Sequence, residues 1–191
     1  MNFEIVIAIL LAGILSHNYA LTDFLGTGAV IENHRSKRRS LIVGLGTTLV
    51  MVLATLITYP LNTYLLAEVE FLQTLVFVIV ILVVVELVHL VAKRLESYCK
   101  VDFLKFAING AVLGICIHNT EFALLKEVEL TLLSAVVSAA AVGIGLTLTM
   151  VVFSSLQSKI DEEAVPASFR GLPAALLIAG MMALALLAFV A

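Results

Sequence analysis

The sequence predicts an all-α membrane protein of six transmembrane helices, built as two inverted three-helix repeats whose first and fourth helices are broken. Three observations carry that expectation. Hydrophobic residues fill 62% of the 191 positions and charged residues only 13%, with a mean hydropathy of +1.15. A soluble domain carries about a quarter charged residues, so lipid must be the solvent here. The apolar residues fall into runs long enough to cross a bilayer, and two stretches of the first half recur in order in the second.

A spanning helix needs about 20 apolar residues at roughly 1.5 Å rise each. The runs cover about 3–31, 40–58, 71–92, 103–120, 130–157 and 172–191. Little chain remains between them, which leaves no room for a soluble domain. Residues 1–191 are therefore expected to form one integral membrane domain, with repeat one at about 1–98 and repeat two at about 99–191. The first run opens Met1-Asn2-Phe3-Glu4, acidic rather than basic, and is too long for a signal-peptide core. As one straight helix it would measure roughly 43 Å against a hydrocarbon core of about 30 Å, while the fourth would reach only roughly 27 Å. Breaks at Gly26-Thr27-Gly28 and at Asn109-Gly110 resolve both misfits. Glycine lowers helix propensity by about 1 kcal/mol, and irregular backbone at membrane depth survives only inside protein or beside a cavity.

The second and fifth runs carry one half of the duplication. Val43-Gly44-Leu45-Gly46-Thr47-Thr48-Leu49-Val50-Met51-Val52 aligns with Val142-Gly143-Ile144-Gly145-Leu146-Thr147-Leu148-Thr149-Met150-Val151, an offset of 99. Thr27-Gly28-Ala29-Val30 aligns with Asn109-Gly110-Ala111-Val112, an offset of 82. Three spans per repeat is odd, so the second repeat enters the membrane from the opposite side. The two glycine motifs are then expected to meet near the bilayer midplane. Gly44, Gly46, Gly143 and Gly145 read as positions where helices pack closely.

Of the eleven Lys and Arg, all but Lys126 fall in three alternate connections. The positive-inside rule puts those connections in the cytoplasm, which leaves both termini outside. The basic run from Arg35 to Arg39 thus reads as an orientation anchor, not a nucleic-acid site. Cys99 and Cys116 cannot make a disulfide scaffold, and neither has a Cys-x-x-Cys or His partner at metal-ligand spacing. No phosphate loop, dinucleotide fingerprint, metalloprotease helix or nucleophile elbow is present, which excludes those soluble-type active sites. Ionisable groups at membrane depth are costly and become functional candidates. Glu86 and His89, three apart, share a helix face and are ion-path candidates with Asn18, Asp23 and Asn109. The two asparagines also suit backbone groups freed by the breaks.

Several segments resemble one known family, the paired membrane subunits of the Rnf and Na⁺-translocating NADH:quinone oxidoreductase (Nqr) complexes. They are His17-Asn18-Tyr19-Ala20-Leu21, Phe24-Leu25-Gly26, Gly44-Leu45-Gly46-Thr47-Thr48-Leu49-Val50-Met51, Asn109-Gly110-Ala111-Val112-Leu113-Gly114 and Val165-Pro166-Ala167-Ser168-Phe169-Arg170-Gly171. The last favours the A-type member of the Rnf pair, equivalent to the E-type member of the Nqr pair. The resemblance implies a multi-pass subunit of a prokaryotic inner (plasma) membrane, serving an ion-translocating electron-transport complex rather than acting as an enzyme alone. It also implies a sister subunit of opposite topology, other redox subunits, and a [2Fe–2S] cluster held by one cysteine from each broken helix of each sister. The matching positions here are Gly28 and Gly110, which have no ligand atom. The expectation is therefore no metal and no cofactor bound by this chain alone. A homodimer, a cluster-free transporter or channel on the same scaffold, and a purely structural assembly subunit are the alternatives.

Overall fold

The computed structural model describes residues 3–16, 18, 21–32, 37–66, 69–95, 110–121, 131–160 and 165–188. Among the described residues there are helices and turns but no strand. The α-helices are α1 (Phe3–Leu11), α2 (Thr27–Glu32), α3 (Lys37–Leu61), α4 (Glu70–Leu95), α5 (Gly110–Glu121), α6 (Leu132–Gln157) and α7 (Leu172–Leu187). A π-helical turn extends α1 through Ala12–Ser16, and another extends α3 through Asn62–Leu66 just after Pro60. Proline supplies no backbone N–H, so a change of helical pitch there has a local cause. Among the described residues three segments are long and apolar enough to cross a membrane unaided: Lys37–Leu66, Phe71–Val91 and Leu132–Gln157. The protein is an all-α membrane protein.

The first run is interrupted, but the sequence placed the irregular backbone slightly too late. Thr27 and Gly28 already belong to the first turn of α2. The interruption precedes them, with Phe24 at φ 56° and Gly26 at φ 80°. Glycine takes this left-handed region freely, whereas an aromatic residue there is strained. Gly110, expected inside the second break, is the first residue of α5. Asn109 and residues 103–108 lie outside the described residues.

Of the three long spans the most enclosed is α6, 61% buried over its apolar window against 22% for α4. Thr131 opens it with a capping box, its hydroxyl accepting from Ser134 N while the Ser134 hydroxyl accepts from Thr131 N. Along α6 the duplication becomes a physical contact. Thr48 Oγ1 of α3 lies 3.2 Å from Thr147 Oγ1 of α6, two residues that are themselves 99 apart. A β-carbon added at Gly44 would stand 2.7 Å from the Thr147 side chain, and one added at Gly143 would stand 2.6 Å from that of Thr48. Each threonine also donates to the carbonyl of the glycine four residues before it, at 2.9 Å and 2.8 Å. The two helices therefore exchange equivalent contacts about a local pseudo-twofold, which is what an inverted repeat requires.

A second small-residue stripe, Ala141, Gly145 and Thr149, receives the end of the first half-helix. A β-carbon on Gly145 would fall 2.8 Å from Gly13 O, and one on Gly13 would fall 2.6 Å from Ala141 Cβ. Small residues here let the two backbones touch. The core is filled from every helix, with Ile9, Val30, Val50, Met51, Phe77, Val85, Ile115, Val142, Phe153 and Ala175 all buried. At the start of α7, the segment beginning Val165-Pro166 forms a built turn. Phe169 N donates to Pro166 O at 2.8 Å, Arg170 Nε donates to Val165 O at 2.8 Å, and Gly171 turns the chain at φ 76°.

Candidate functional site at the opposed half-helices

Asn18 organises the first interruption. It is buried, and its side-chain amide faces three acceptors: Thr149 Oγ1 at 2.8 Å, and Ile14 O and Gly145 O at 3.3 Å. Two N–H groups shared among three acceptors hold the end of the half-helix against α6. The Asn18 carbonyl then accepts from Leu21 N and Thr22 N at 2.9 Å and from Thr22 Oγ1 at 3.0 Å, so the chain folds back at once. Its Oδ1 is buried without a partner. Thr27 Oγ1 donates to Phe24 O at 3.0 Å and closes the connection into α2.

The interruption delivers Leu25 and Gly26 to the start of α5. A β-carbon on Gly114 would sit 2.7 Å from Leu25 Cδ1, so the Leu25 side chain occupies the space a larger residue would need. A β-carbon on Gly110 would lie 3.6 Å from Leu25 Cδ2 and 3.8 Å from Gly26 N, ordinary contact distances. The two glycine motifs that the sequence aligned thus bring their neighbouring residues together. Beside them, residues Leu21, Thr22 and Phe24 form one wall of an apolar groove of about 900 Å³ whose other wall is α7.

Gly28 and Gly110 stand apart from the close-packed glycines. Both are exposed, and nothing lies within 4 Å of a β-carbon built on Gly28. Room is therefore not why these positions are glycine, whereas at Gly44, Gly143 and Gly145 it is. Neither position supplies a ligand atom, and among the described residues around them none replaces one. Cys116 is six residues beyond Gly110, which rotates it about 120° around the helix. It points inward, buried, with its thiol against Thr55 and Thr58 of α3. Asn119 is turned to α6, donating to Ala135 O at 3.0 Å. Among the described residues no three His, Cys, Asp or Glu side chains converge. A thiolate-ligated cluster does not fit the described residues at the site, where the two matching positions are glycine.

The remaining candidates are dispersed. Asp23 is exposed in the first interruption. Glu86 is exposed on the outer face of α4, while His89 is half-buried and its Nδ1 has no partner. Among the described residues no ion pair joins them. An ionised carboxylate facing lipid costs about 2.5–3.5 kcal/mol near the centre of a span and less toward its ends. Sequence reasoning missed Leu25 as the spacer between the motifs and Thr149 as the partner of Asn18. Thr149 sits four residues beyond Gly145 on the small-residue stripe, and that periodicity was the available signal.

Comparison with known proteins follows the same lines. A family model described as Rnf-Nqr subunit, membrane protein, matches residues 6–191. The chain is 32% identical over 189 residues to the A-type subunit of the ion-translocating oxidoreductase complex of Glaesserella parasuis, covering 96% of this chain and 95% of that protein. It is 30% identical over 190 residues to the A-type subunit of the Na⁺-translocating ferredoxin:NAD⁺ oxidoreductase complex of Acetobacterium woodii, covering 96% of each. The A-type subunit of the ion-translocating oxidoreductase complex of Pseudomonas paraeruginosa is 32% identical over 187 residues, covering 95% of this chain and 94% of that protein.

Proposed function

The chain belongs to the Rnf–Nqr family of membrane subunits, and from that premise we propose that it is a membrane subunit of an ion-translocating electron-transport complex whose own half of the cluster site carries no ligands. The observation that carries this reading is the meeting of Leu25 and Gly26 with Gly110 and Gly114, beside two outward-facing positions that lack only a side chain. In this arrangement the chain is one pseudosymmetric half of a membrane core. A sister subunit of opposite topology covers the Gly28 and Gly110 face, and further redox subunits bind the assembly. Both termini lie outside a prokaryotic inner membrane, as the alternating basic connections imply. Asn18 and its neighbours frame the site rather than react in it. Residues 1–191 act as a single domain.

The test is purification of the complex with its native partners, followed by iron and sulfide analysis and EPR. The expected result is a defined complex with redox-active subunits and no [2Fe–2S] signal that depends on this chain. A stoichiometric [2Fe–2S] signal lost in a Cys116→Ser variant would overturn the reading of the site. Isolation of the chain without any redox partner would overturn the reading of the assembly.

The empty surroundings of Gly28 favour one second reading, a cluster-free channel or transporter in which the glycine pair leaves passage for a small solute or ion. Solute flux in proteoliposomes without an electron donor separates the two.

A further inference from the structure

One helix face is at odds with the solvent it would meet. Phe77, Ile81, Val84 and Val85 turn the inner side of α4 into the core. The outer side shows Leu75, Ile79, Leu82, Leu87 and Leu90, all exposed, and in their midst Glu86. The apolar run of this helix is Phe71–Val91. At 1.5 Å per residue Glu86 lies roughly 7 Å inside one end of it and roughly 22 Å from the other. Side chains lean toward the helix N-terminus, so the carboxylate is aimed deeper into the run and away from the basic end that holds Lys93 and Arg94. Its neighbours one turn away on the same face are Leu82, Val83 and Leu90, and the only polar one is the half-buried His89. Ionisable groups at such depth pair with one another or line a cavity; they do not face acyl chains.

We propose that the outer face of α4 is an intersubunit contact, and that its occupant is an apolar transmembrane helix from a different polypeptide of the complex, carrying a lysine or arginine level with Glu86. An ionised carboxylate only accepts hydrogen bonds, and a cationic side chain supplies both the donors and the opposite charge. A second copy of this chain does not meet that need. A twofold along the membrane normal through this face would set Glu86 against Glu86, two like charges facing each other. The inference goes beyond the proposed function and rests on its first reading, in which the chain sits among other subunits in a bilayer.

Dicyclohexylcarbodiimide, which attacks protonated carboxyls in apolar surroundings, probes the contact on the protein as it exists. Glu86 should be labelled in the isolated chain in phosphatidylcholine nanodiscs, and at least roughly tenfold less in the intact complex, because the partner helix covers the carboxylate there. A photo-crosslinking residue at Leu82 or Leu90 in the complex should capture a helix of another subunit with Lys or Arg within one turn. Glu86→Lys should abolish that cross-link, and reversing the partner's cation should restore it. Equal labelling in complex and isolated chain would overturn the proposal. So would cross-links to lipid alone, to a second copy, or to a helix without a basic residue at that level.

Discussion

Replacing Gly145 with alanine tests the backbone contact on which the first half-helix rests. The new β-carbon would stand 2.8 Å from Gly13 O and 3.1 Å from Ile14 Cα, where ordinary contact begins at 3.4 Å. Both obstacles belong to the 12–16 turn itself rather than to a flexible side-chain tip, so the segment must retreat by about 0.6 Å. The Asn18 amide bond to Gly145 O is already 3.3 Å and would open to about 3.9 Å, beyond hydrogen-bonding range. Overpacking costs about 1–3 kcal/mol and the lost bond about 0.5–1.5, against roughly 1 gained in helix propensity. The net expectation is a loss of about 1–3 kcal/mol. At roughly 2–4 °C per kcal/mol for a chain of this size, the melting temperature should fall by about 2–12 °C. The matched control is Gly28→Ala, where the β-carbon meets nothing within 4 Å and helix propensity alone should hold or raise the melting temperature. The protein contains no tryptophan. The natural reporter is Cys116, free and buried, read by a fluorogenic thiol reagent during a thermal ramp in a Cys99→Ser background. If Gly145→Ala melts at or above the parent, or Gly28→Ala falls as far, the packing argument is wrong.

Three further outcomes follow from the same contacts. Asn18→Ala should cost about 1–3 kcal/mol in the same thermal ramp by leaving buried acceptors unpaired, and Asn18→Asp should cost more because it replaces the donor with a fourth acceptor. Thr48→Val keeps the shape that fills the space beside Gly143 and loses only hydroxyl contacts, so it should cost less than about 1 kcal/mol, in line with hydrogen bonds between membrane helices. Gly28→Cys and Gly110→Cys should each react with maleimide in the isolated chain while Cys116 does not, as mass spectrometry of the labelled peptides would show. Each should also melt within about 0.5 kcal/mol of the parent.

Much of this architecture could be read from residues alone, for identifiable reasons. Apolar runs reveal spans because lipid tolerates almost nothing else, and the Gly44-to-Thr48 and Gly143-to-Thr147 motifs revealed the repeat because both copies obey the same packing constraint. The first interruption was found but placed at Gly26-Thr27-Gly28, since glycine content marks where a helix can yield rather than where it does. The chain yields earlier because Asn18 captures Ile14 O and folds the following residues onto its own carbonyl. No local pattern encodes that Gly145 O and Thr149 accept from the same amide, for those partners arrive from the opposite end of the chain. Nor does sequence separate a glycine that must be small from one that need not be. Gly145 must be small because Gly13 O and Ile14 Cα lie against it, whereas nothing stands within 4 Å of a β-carbon at Gly28.

The exchanged contacts between α3 and α6 tie the fates of distant positions. A larger residue at 44 is judged against the side chain at 147, and one at 143 against that at 48, so drift along this seam must be matched substitution by substitution across the duplication. Positions 28 and 110 answer to no such neighbour. Their side chains can be gained or lost without disturbing the frame that presents them. A lineage could thus discard its site chemistry, or recover it, while inheriting the same fold.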